Sequence, residues 1–383
     1  MESKIFSKKF KILLSIRSLD CGGAERQWVL LANELAKCKE VELHLCTIYG
    51  GGKLESEINK IPHTCLNKRG RGDFGFLLRY YRLIKTLNPD CIYAFMPEMN
   101  LFSLLCGKLQ KNKPKIIFGF RSSAINVNKL SLASKLYFYA QKFLSPYANA
   151  IICNSQDAIS FYKGKGYFMD RAFVVHNGID TIRFCPNDST ALKKELRIAQ
   201  GCFIVGISAR MNKVKDYPLF AKIAREFLEY TKEKNKVVFI SLGKIDLEIL
   251  KHCQKILEPY AIEFLGVKNT IENYYPLFDC IISTSYTESF SNSIAEGMAC
   301  GCIPIVSDVG ESKIIANFKQ DSYKFCFAPK DLEGALECLK SLYVLKDSVQ
   351  FTTLKEQARG HIIKEFSPKR MVEKTLEVLK RDF

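Results

Sequence analysis

The chain has 383 residues, of which 47% are hydrophobic and 25% are charged, a composition that excludes a disordered protein and predicts two domains of roughly 150 to 200 residues. No apolar run approaches the roughly 18 residues of a membrane-spanning helix, and the apolar stretch after the basic start is too short for a secretory signal, so we expect a chain that neither crosses a membrane nor is exported. The formal net charge of +17 favours anionic partners.

Strand-sized apolar runs alternate with helix-sized amphipathic runs along the chain, which is typical of parallel sheets covered by helices on both faces. In the first half, this rhythm predicts strands at 11–16, 42–48, 91–95, 115–120, 150–153 and 173–176, with helices between them. In the second half, it predicts strands at 203–208, 237–242, 263–265, 280–283 and 303–306, and helices at about 217–233, 245–257, 270–277 and 291–300. The pattern therefore indicates two doubly wound α/β domains in tandem.

Turn-forming residues separate the two halves. Asn177-Gly178-Ile179-Asp180 is followed by Pro186 and Asn187, which together indicate a linker. We predict a first domain at 1–183, a second at 184–366, and a tail helix at 367–383 that starts at Ser367-Pro368 and docks on one of the domains, with the first as the expected partner.

Cysteines are numerous but do not form a disulfide pattern. There are 15 of them, with no C-x-x-C pair, and many lie in apolar runs where a reduced thiol acts as a small hydrophobic group. This usage is typical of the cytosol. Cys300 and Cys302 have no histidine near them in the sequence, so we expect packing residues here and not a zinc site.

Ligands of open α/β sheets bind at the loops after the carboxyl ends of strands, and two such loops suit anions. The first, Asp20-Cys21-Gly22-Gly23-Ala24-Glu25-Arg26, opens a helix whose free amides can hold a phosphate, although paired glycines there also serve backbone geometry alone. The second follows strand 203–208, and in it Arg210 and Lys215 can converge on one anion. A solvated basic loop is the alternative.

A third loop, between strands 280–283 and 303–306, carries two carboxylates eight residues apart, Glu288 and Glu296. Ser289, Ser291 and Ser293 are expected to cap the helix that begins here, and its amides suit a diphosphate. One carboxylate can accept hydrogen bonds from sugar hydroxyls and the other from a ribose. A capping box with a solvated glutamate is the alternative.

Taken together and in this order, these motifs resemble those of the family 4 retaining glycosyltransferases, which have the two-Rossmann-domain architecture called GT-B. The similarity spans nearly the whole chain and rests on Gly22 to Arg26, Asn177 to Asp180, Arg210 with Lys215, and Glu288 with Glu296. It implies two Rossmann-like doubly wound parallel-sheet domains that face each other across a cleft, with the acceptor in the first domain and a nucleotide sugar in the second.

The resemblance also implies roles for the site residues. Arg210 and Lys215 would neutralise the departing nucleoside diphosphate, Glu288 would bind hydroxyls of the donor sugar, and Glu296 would bind the ribose. No D-x-D metal motif is present, so neither a metal nor another cofactor is implied. The full set of donor-binding positions implied by the family is Gly22, Gly23, Gly266, Val267, Ser289, Phe290, Ser291, Asn292 and Glu296.

By the same resemblance, the reaction is transfer of a sugar, commonly UDP-linked in the family, to a hydroxyl with retention at the anomeric carbon. Three positions depart from the family pattern. Ser291 stands where many members have Gly or Pro, and Gly297 follows the second glutamate where Ala is commoner. Arg121 follows the fourth strand in a loop where some members have a histidine. Arg121 is therefore expected to hold an anion of the acceptor or a phosphate, and not to act as a base.

Positive charge is concentrated in the first half of the chain. Residues 1–180 hold 27 Lys plus Arg against 14 Asp plus Glu, a net +13, whereas residues 181–383 hold 30 against 26, a net +4. The stretch 128–147 mixes Lys129, Lys135 and Lys142 with leucines and aromatic residues, as a helix in a bilayer interface does, although its apolar residues can equally be core. We expect it to seat the first domain on anionic lipid at the cytoplasmic face of a membrane, which makes a lipid-linked saccharide the simplest acceptor.

Two other classes of protein remain open. A nucleic-acid-binding protein would also be basic, but no motif of that class is present and the acidic pair would repel phosphates, so no nucleic acid is expected. A nucleotide-sugar 2-epimerase or a phosphorylase of the GT-B fold is the closer rival, although a phosphorylase should be much longer and carry a lysine for pyridoxal phosphate. Consumption of the donor without an acceptor would indicate the epimerase.

Overall fold

The computed structural model describes residues 8–20, 22–70, 72–123, 125, 127–232, 236–319 and 325–383. The chain forms two compact units, one made of Met1–Gly178 with Pro368–Phe383 and the other of Ile179–Ser367. Ile179 and Phe184 are buried in the core of the second unit, which is why that unit begins before the predicted boundary at 183/184. No helix in the described ranges is long and apolar enough to cross a bilayer.

The first unit is built on a seven-stranded parallel sheet. Its strands are β1 (Phe10–Ile16), β2 (Val41–Thr47), β3 (His63–Cys65), β4 (Cys91–Phe95), β5 (Lys115–Phe120), β6 (Ala150–Cys153) and β7 (Ala172–Val174). Its first five helices are α1 (Gly23–Leu35), α2 (Gly75–Leu87), α3 (Pro97–Lys108), α4 (Leu132–Leu144) and α5 (Gln156–Gly164). The strand order β3-β2-β1-β4-β5-β6-β7 reverses between β1 and β4, as in doubly wound sheets.

Helices cover both faces of this sheet because its central strands bury side chains on both sides. Ile12 and Leu14 of β1 join a core with α1, whereas Leu13 joins a core with α2 to α5 on the other face. The tail forms α13 (Pro368–Lys380), which packs on α1 and contributes Met371 and Leu376 to the first of these cores. The tail is thus part of the first unit.

The second unit is a six-stranded parallel sheet with the order β10-β9-β8-β11-β12-β13. Its strands are β8 (Phe203–Ser208), β9 (Val237–Leu242), β10 (Glu263–Gly266), β11 (Cys280–Ser283), β12 (Ile303–Ser307) and β13 (Cys326–Phe327). Its helices are α6 (Thr190–Glu195), α7 (Tyr217–Thr231), α8 (Leu247–Leu257), α9 (Asn292–Ala299), α10 (Ser312–Ala316), α11 (Leu332–Val344) and α12 (Val349–Glu365). Phe203 and Val205 of β8 face a core with α7 and α11, and Ile204 faces one with α9 and α12.

Both predicted sheets are confirmed, and the predicted strands lie within two residues of their predicted bounds. The helix predicted at 270–277 is wrong: the segment forms two 3₁₀ turns, Ile271–Asn273 and Tyr275–Leu277, in which Pro276 removes a backbone donor. The sequence also missed β3 and β13. Both are edge strands, of three and two residues, so each is too short to give a strand-sized apolar run in the sequence.

Candidate active site

The second unit has a ligand-binding geometry at the carboxyl ends of β8 and β11. These strands pair with each other where the strand order reverses, because β8 is followed by β9 on its other side. At such a point the two loops diverge and leave a crevice. The loop after β8 contains Arg210 and Lys215, and the loop after β11 contains Glu288. A small cavity between them is lined in part by Ser208, Lys215 and Ser285.

Lys215 and Glu288 form an ion pair that joins these two loops. Lys215 Nζ contacts Glu288 Oε1, and the two side chains are only 22% and 13% exposed. Ser285 Oγ donates to the same carboxylate oxygen at 3.1 Å. Thr284 Oγ1 donates to the carbonyl oxygen of Lys215 at 2.8 Å, so the backbones of the two loops are also linked. The pairing matters because an isolated charge at this depth would be costly.

Arg210 lies on the same loop but is exposed. In the part of the chain that the structure describes, it makes no side-chain hydrogen bond or ion pair. Asn212 Oδ1 accepts hydrogen bonds from the backbone N–H groups of Val214 and Lys215 at 3.0 and 3.2 Å, which tightens the loop into a 3₁₀ turn. The structure therefore brings Lys215 to Glu288, and it does not bring Arg210 into contact with either of them.

Glu296 is held by a hydrogen bond from Tyr275, a buried tyrosine. It lies on α9 and is partly buried, and Tyr275 Oη donates to its Oε2 at 3.0 Å. The same hydroxyl lies 3.0 Å from Oγ of Ser208, the last residue of β8. Burial, followed by the neighbouring Glu296 carboxylate, raises the pKa of Tyr275 well above its usual value, so the phenol remains a donor. Glu296 is thus tied to the end of β8.

The loop from Ser289 to Asn292 leads into α9. The predicted serine cap is not seen at Ser291, which occupies the N-cap position but makes no capping hydrogen bond with its side chain. Phe290 is buried against Phe366, with ring centroids 5.5 Å apart, so only its backbone can face a ligand. Ser289 O accepts a hydrogen bond from Glu311 N at 3.2 Å, which supports the loop from the β12 side.

Gly266 and Val267 lie at the end of β10, and backbone contacts connect them to the loop after β8. Gly243 N–H donates to Gly266 O at 2.9 Å. Gly243 also has a φ of 128° and lies so close to Ala209 that a Cβ would overlap the Ala209 carbonyl. The backbone approach requires glycine here. Val267 is 68% exposed and is available to a ligand.

The remaining candidates belong to the first unit. Gly22 and Gly23 lie at the start of α1, after β1, whereas Cys21 lies outside the described residues. The carboxylate of Glu25 folds back over Gly22, at the position where a phosphate was expected. Burial, and to a smaller extent Asp20, raises the pKa of Glu25. A carboxylate of this chain thus already occupies the N-terminus of α1.

Arg121 follows β5 and is anchored by neighbours in the first unit. Its Nη2 donates to Tyr93 Oη at 2.7 Å and its Nη1 to Asn177 Oδ1 at 3.4 Å. The guanidinium lies over the ring of Phe95, 4.2 Å from the centroid. Its buried Nε has no hydrogen-bond partner among the described atoms. The side chain is thus a fixed cation at the carboxyl edge of the first sheet.

Sequence reasoning missed the residues that contact the site residues and hold their loops in place. Tyr275 lies in a segment that was predicted to be an ordinary helix, and Gly243 lies in a loop with no charged motif to distinguish it. Gly310, whose Cβ would overlap the Glu288 carbonyl oxygen, was missed for the same reason. Within the described ranges, no group of three or more His, Cys, Asp or Glu side chains is placed to hold a metal ion.

Two family models match the chain in succession. Residues 21–183 match the model described as Glycosyltransferase Family 4, and residues 202–344 match the model described as Glycosyl transferases group 1. Together they leave out only residues 1–20, 184–201 and 345–383. All four charged candidates of the second unit lie within the second match.

Two relatives come from Campylobacter jejuni. The chain is 25% identical over 237 residues to the N,N'-diacetylbacillosaminyl-diphospho-undecaprenol alpha-1,3-N-acetylgalactosaminyltransferase. That alignment covers 59% of this chain and 61% of the relative. The chain is 23% identical over 311 residues to the N-acetylgalactosamine-N,N'-diacetylbacillosaminyl-diphospho-undecaprenol 4-alpha-N-acetylgalactosaminyltransferase, which covers 78% and 80%. The chain therefore spans less than two thirds of the first relative and four fifths of the second.

Solved structures with the same fold cover nearly the whole chain. Anabaena HepE, determined in complex with UDP and glucose, has a TM-score of 0.76 at 18% identity and covers 97% of this chain and 99% of its own. A glycosyltransferase from Rickettsia africae has a TM-score of 0.78 at 20% identity and covers 98% of each chain. The predicted pair of Rossmann-like parallel-sheet domains is confirmed, and it is the GT-B fold of these neighbours.

Proposed function

This chain belongs to the family 4 glycosyltransferases, and we propose that it transfers a sugar from a nucleotide sugar to a hydroxyl of a lipid-linked saccharide during surface polysaccharide or glycan assembly. The observation that carries the proposal is the meeting of Lys215 with Glu288 at the ends of β8 and β11, with Glu296 tied to β8 beside them. The Campylobacter relatives are named for diphospho-undecaprenol acceptors, and HepE binds UDP. A UDP-linked donor is therefore the first to test.

Charge neutralisation of the leaving group falls to Arg210 and Lys215. As the bond between the anomeric carbon and the diphosphate oxygen breaks, negative charge grows on the diphosphate, and two cations there take the place of a metal. The acceptor oxygen forms its new bond on the face that the diphosphate leaves, so configuration is retained, and the acceptor proton passes to the departing diphosphate. Arg210 is exposed at the loop and free to approach the diphosphate.

The two carboxylates have separate tasks in this proposal. Glu288, braced by Lys215 and Ser285, accepts hydrogen bonds from hydroxyls of the donor sugar. Glu296 accepts hydrogen bonds from the ribose, and the backbone from Ser289 to Asn292 at the start of α9 holds the diphosphate. Gly266 and Val267 border the base.

The same proposal places the chain at the cytoplasmic face of a membrane as a peripheral protein. A lipid-linked acceptor stays in the bilayer, so an enzyme that uses it needs a surface that contacts lipid. Arg121 of the first unit, a fixed cation at the carboxyl edge of its sheet, is the group proposed to meet the acceptor or a phosphate.

Thermal stabilisation by a panel of nucleotide sugars tests this function. A ligand present at about 100 times its dissociation constant adds ~2.7 kcal/mol to the free energy of unfolding. We expect Glu296→Ala to lose that stabilisation, while Lys213→Ala, an exposed lysine beside the site, keeps it. No stabilisation of the wild type by any donor would contradict the proposal. Donor consumed at the same rate with and without a lipid-linked acceptor would indicate the epimerase.

A further inference from the structure

Helix α4 forms most of the stretch 128–147, whose apolar residues could, from the sequence, belong either to the core or to a bilayer interface. One side of it is core, since Phe138 and Gln141 are buried. The other side exposes apolar residues at intervals of three and four, which places them in one stripe along the helix. These residues are Leu132 (86% exposed), Leu136 (68%), Tyr139 (50%) and Phe143 (72%).

Helix α3, which packs on α4, and helix α2, which packs on α3, also expose apolar side chains. They expose Leu105 and Leu109 at α3, and Phe74 and Leu78 at α2. The ring of Phe102 on α3 contacts Phe76 of α2 and Tyr137 of α4, with centroids 5.0 and 6.0 Å apart, so the three helices are packed into one layer. The apolar face is defined as the eight exposed residues Phe74, Leu78, Leu105, Leu109, Leu132, Leu136, Tyr139 and Phe143.

The charges on these helices are almost all positive. Glu98 is the only acidic residue on α2, α3 and α4, and it pairs with Arg17. The basic residues on the three helices are Arg79, which pairs with Asp73, and Arg82, Lys85, Lys108, Lys135 and Lys142. The side chain of Lys129 lies outside the described residues.

We propose that the apolar face docks on a bilayer that contains anionic lipid. Leucine and aromatic side chains enter the interface while the lysines and arginines meet the headgroups, as in interfacial amphipathic helices. The charge selects this occupant: a second copy of the same face would bring like charges together, whereas anionic lipid neutralises them. The inference names the partner through which the proposed function reaches its acceptor, but it does not depend on the donor site.

Vesicle flotation of the full chain tests the docking surface. We expect the wild type to float with vesicles of phosphatidylcholine and phosphatidylglycerol, and to do so less as salt is raised. Leu136→Ser combined with Phe143→Ser should reduce binding at least about tenfold, since each residue loses its apolar transfer into the interface. Val344→Ser with Val349→Ser, a matched pair in the second unit that is 74% and 85% exposed, should bind as the wild type.

Two results would overturn this inference. One is a wild type that does not float with anionic vesicles, and the other is a Leu136/Phe143 variant that floats as well as the wild type. If that variant instead converts a dimer into a monomer in sedimentation, without any vesicle binding, the face is a protein interface and the bilayer is the wrong occupant. Nucleotide-sugar stabilisation of the same samples reports separately on the proposed function.

A separate observation concerns Tyr275. Its side chain is completely buried between Phe184 and Phe278, with ring centroids 5.9 and 6.2 Å away. Its hydroxyl group contacts two elements at once, at Ser208, the last residue of β8, and at Glu296 on α9. A rigid ring with a permanent donor at its tip can hold a carboxylate in one orientation.

We infer that Tyr275 is a positioning residue that fixes the Glu296 carboxylate in the orientation needed to accept the two ribose hydroxyls. The inference rests on the proposed role of Glu296. In Tyr275→Phe the ring is kept and only the hydroxyl is removed, so the packing with Phe184 and Phe278 remains. The carboxylate then loses a hydrogen bond of the strong, charge-assisted class.

Calorimetric binding of two nucleotides tests the positioning role. The probes are the ribonucleoside diphosphate that stabilises the wild type best and its 2′,3′-dideoxy analogue, which lacks both hydroxyls. We expect Tyr275→Phe to bind the ribonucleotide about tenfold more weakly and the dideoxy analogue as the wild type does. The matched control is Tyr80→Phe, which removes a fully buried hydroxyl that contacts two serines in the first unit.

The outcomes separate this inference from the proposed function. Equal weakening of both nucleotides would show a merely structural tyrosine, and unchanged binding of both would show no role at all; either overturns the inference. A wild type that binds no ribonucleoside diphosphate overturns the proposed function itself.

Discussion

Gly310 packs against the backbone of the loop that carries Glu288. Its substitution by alanine tests whether activity depends on the position of that loop. Its φ is 54°, a region that costs an L residue about 1–2 kcal/mol. A Cβ would also overlap the Glu288 carbonyl oxygen and lie 3.2 Å from Ser289 O. To relieve the overlap the backbone at Glu288 must retreat by about 1 Å, and a misplacement of that size costs about a hundredfold in rate.

We expect Gly310→Ala to lose about 2–4 kcal/mol of unfolding free energy and about 99% of sugar transfer. Gly201→Ala is the matched control in the same unit, because Gly201 has a φ of 78° and nothing within 4 Å of its Cβ position. It should lose only about 1–2 kcal/mol and keep wild-type transfer. Urea denaturation and initial rates measure both. If the two variants are equally stable and equally active, Gly310 does not support the loop.

Three further predictions concern the leaving group, the metal and the first sheet. Arg210→Ala should lower initial rates at saturating donor about a hundredfold or more, and its melting temperature should be unchanged because the residue is exposed. Lys213→Ala should keep the wild-type rate. An unaffected rate in Arg210→Ala would contradict the leaving-group role. Sugar transfer in EDTA should equal transfer without it, and a loss that Mg²⁺ restores would contradict the proposal that the reaction needs no metal. Burial lowers the pKa of both His44 and His63, so unfolded chains take up protons first as pH falls through about 6.5, and the free energy of unfolding should decrease from there downward. Urea titrations at neutral and mildly acidic pH should show this decrease, and His44→Asn with His63→Asn should reduce it.

Much of the fold could be predicted from hydrophobic pattern alone. A strand buried on both faces, such as β8 or β11, must be a continuous apolar run, and a run between turn residues is visible in one sequence. Edge strands β3 and β13 lack that property, because they have only three and two residues and β3 is only partly buried. The turn at Tyr275–Leu277 was missed because a helical pattern and a buried 3₁₀ segment contain similar residues.

The candidate site could be predicted as a set of positions but not as a set of contacts. Parallel strands put all their carboxyl ends at one edge, so chain order alone places the loops that carry Lys215 and Glu288 at the same edge of the sheet. Nothing in the spacing distinguishes Lys215, which turns to Glu288, from Arg210, which remains in solvent. That choice depends on Ser285 and on the tight turn at Asn212.

The sequence by itself therefore determined the two parallel sheets and the loops that carry charge, because these follow from local pattern and chain order, and its motifs indicated the family by resemblance. Only the tertiary structure showed which side of α4 is buried in the core, which carboxylate pairs with Lys215 and which tyrosine holds Glu296. Those outcomes depend on contacts between side chains that are distant in the chain. A local sequence pattern does not show which of these side chains come into contact.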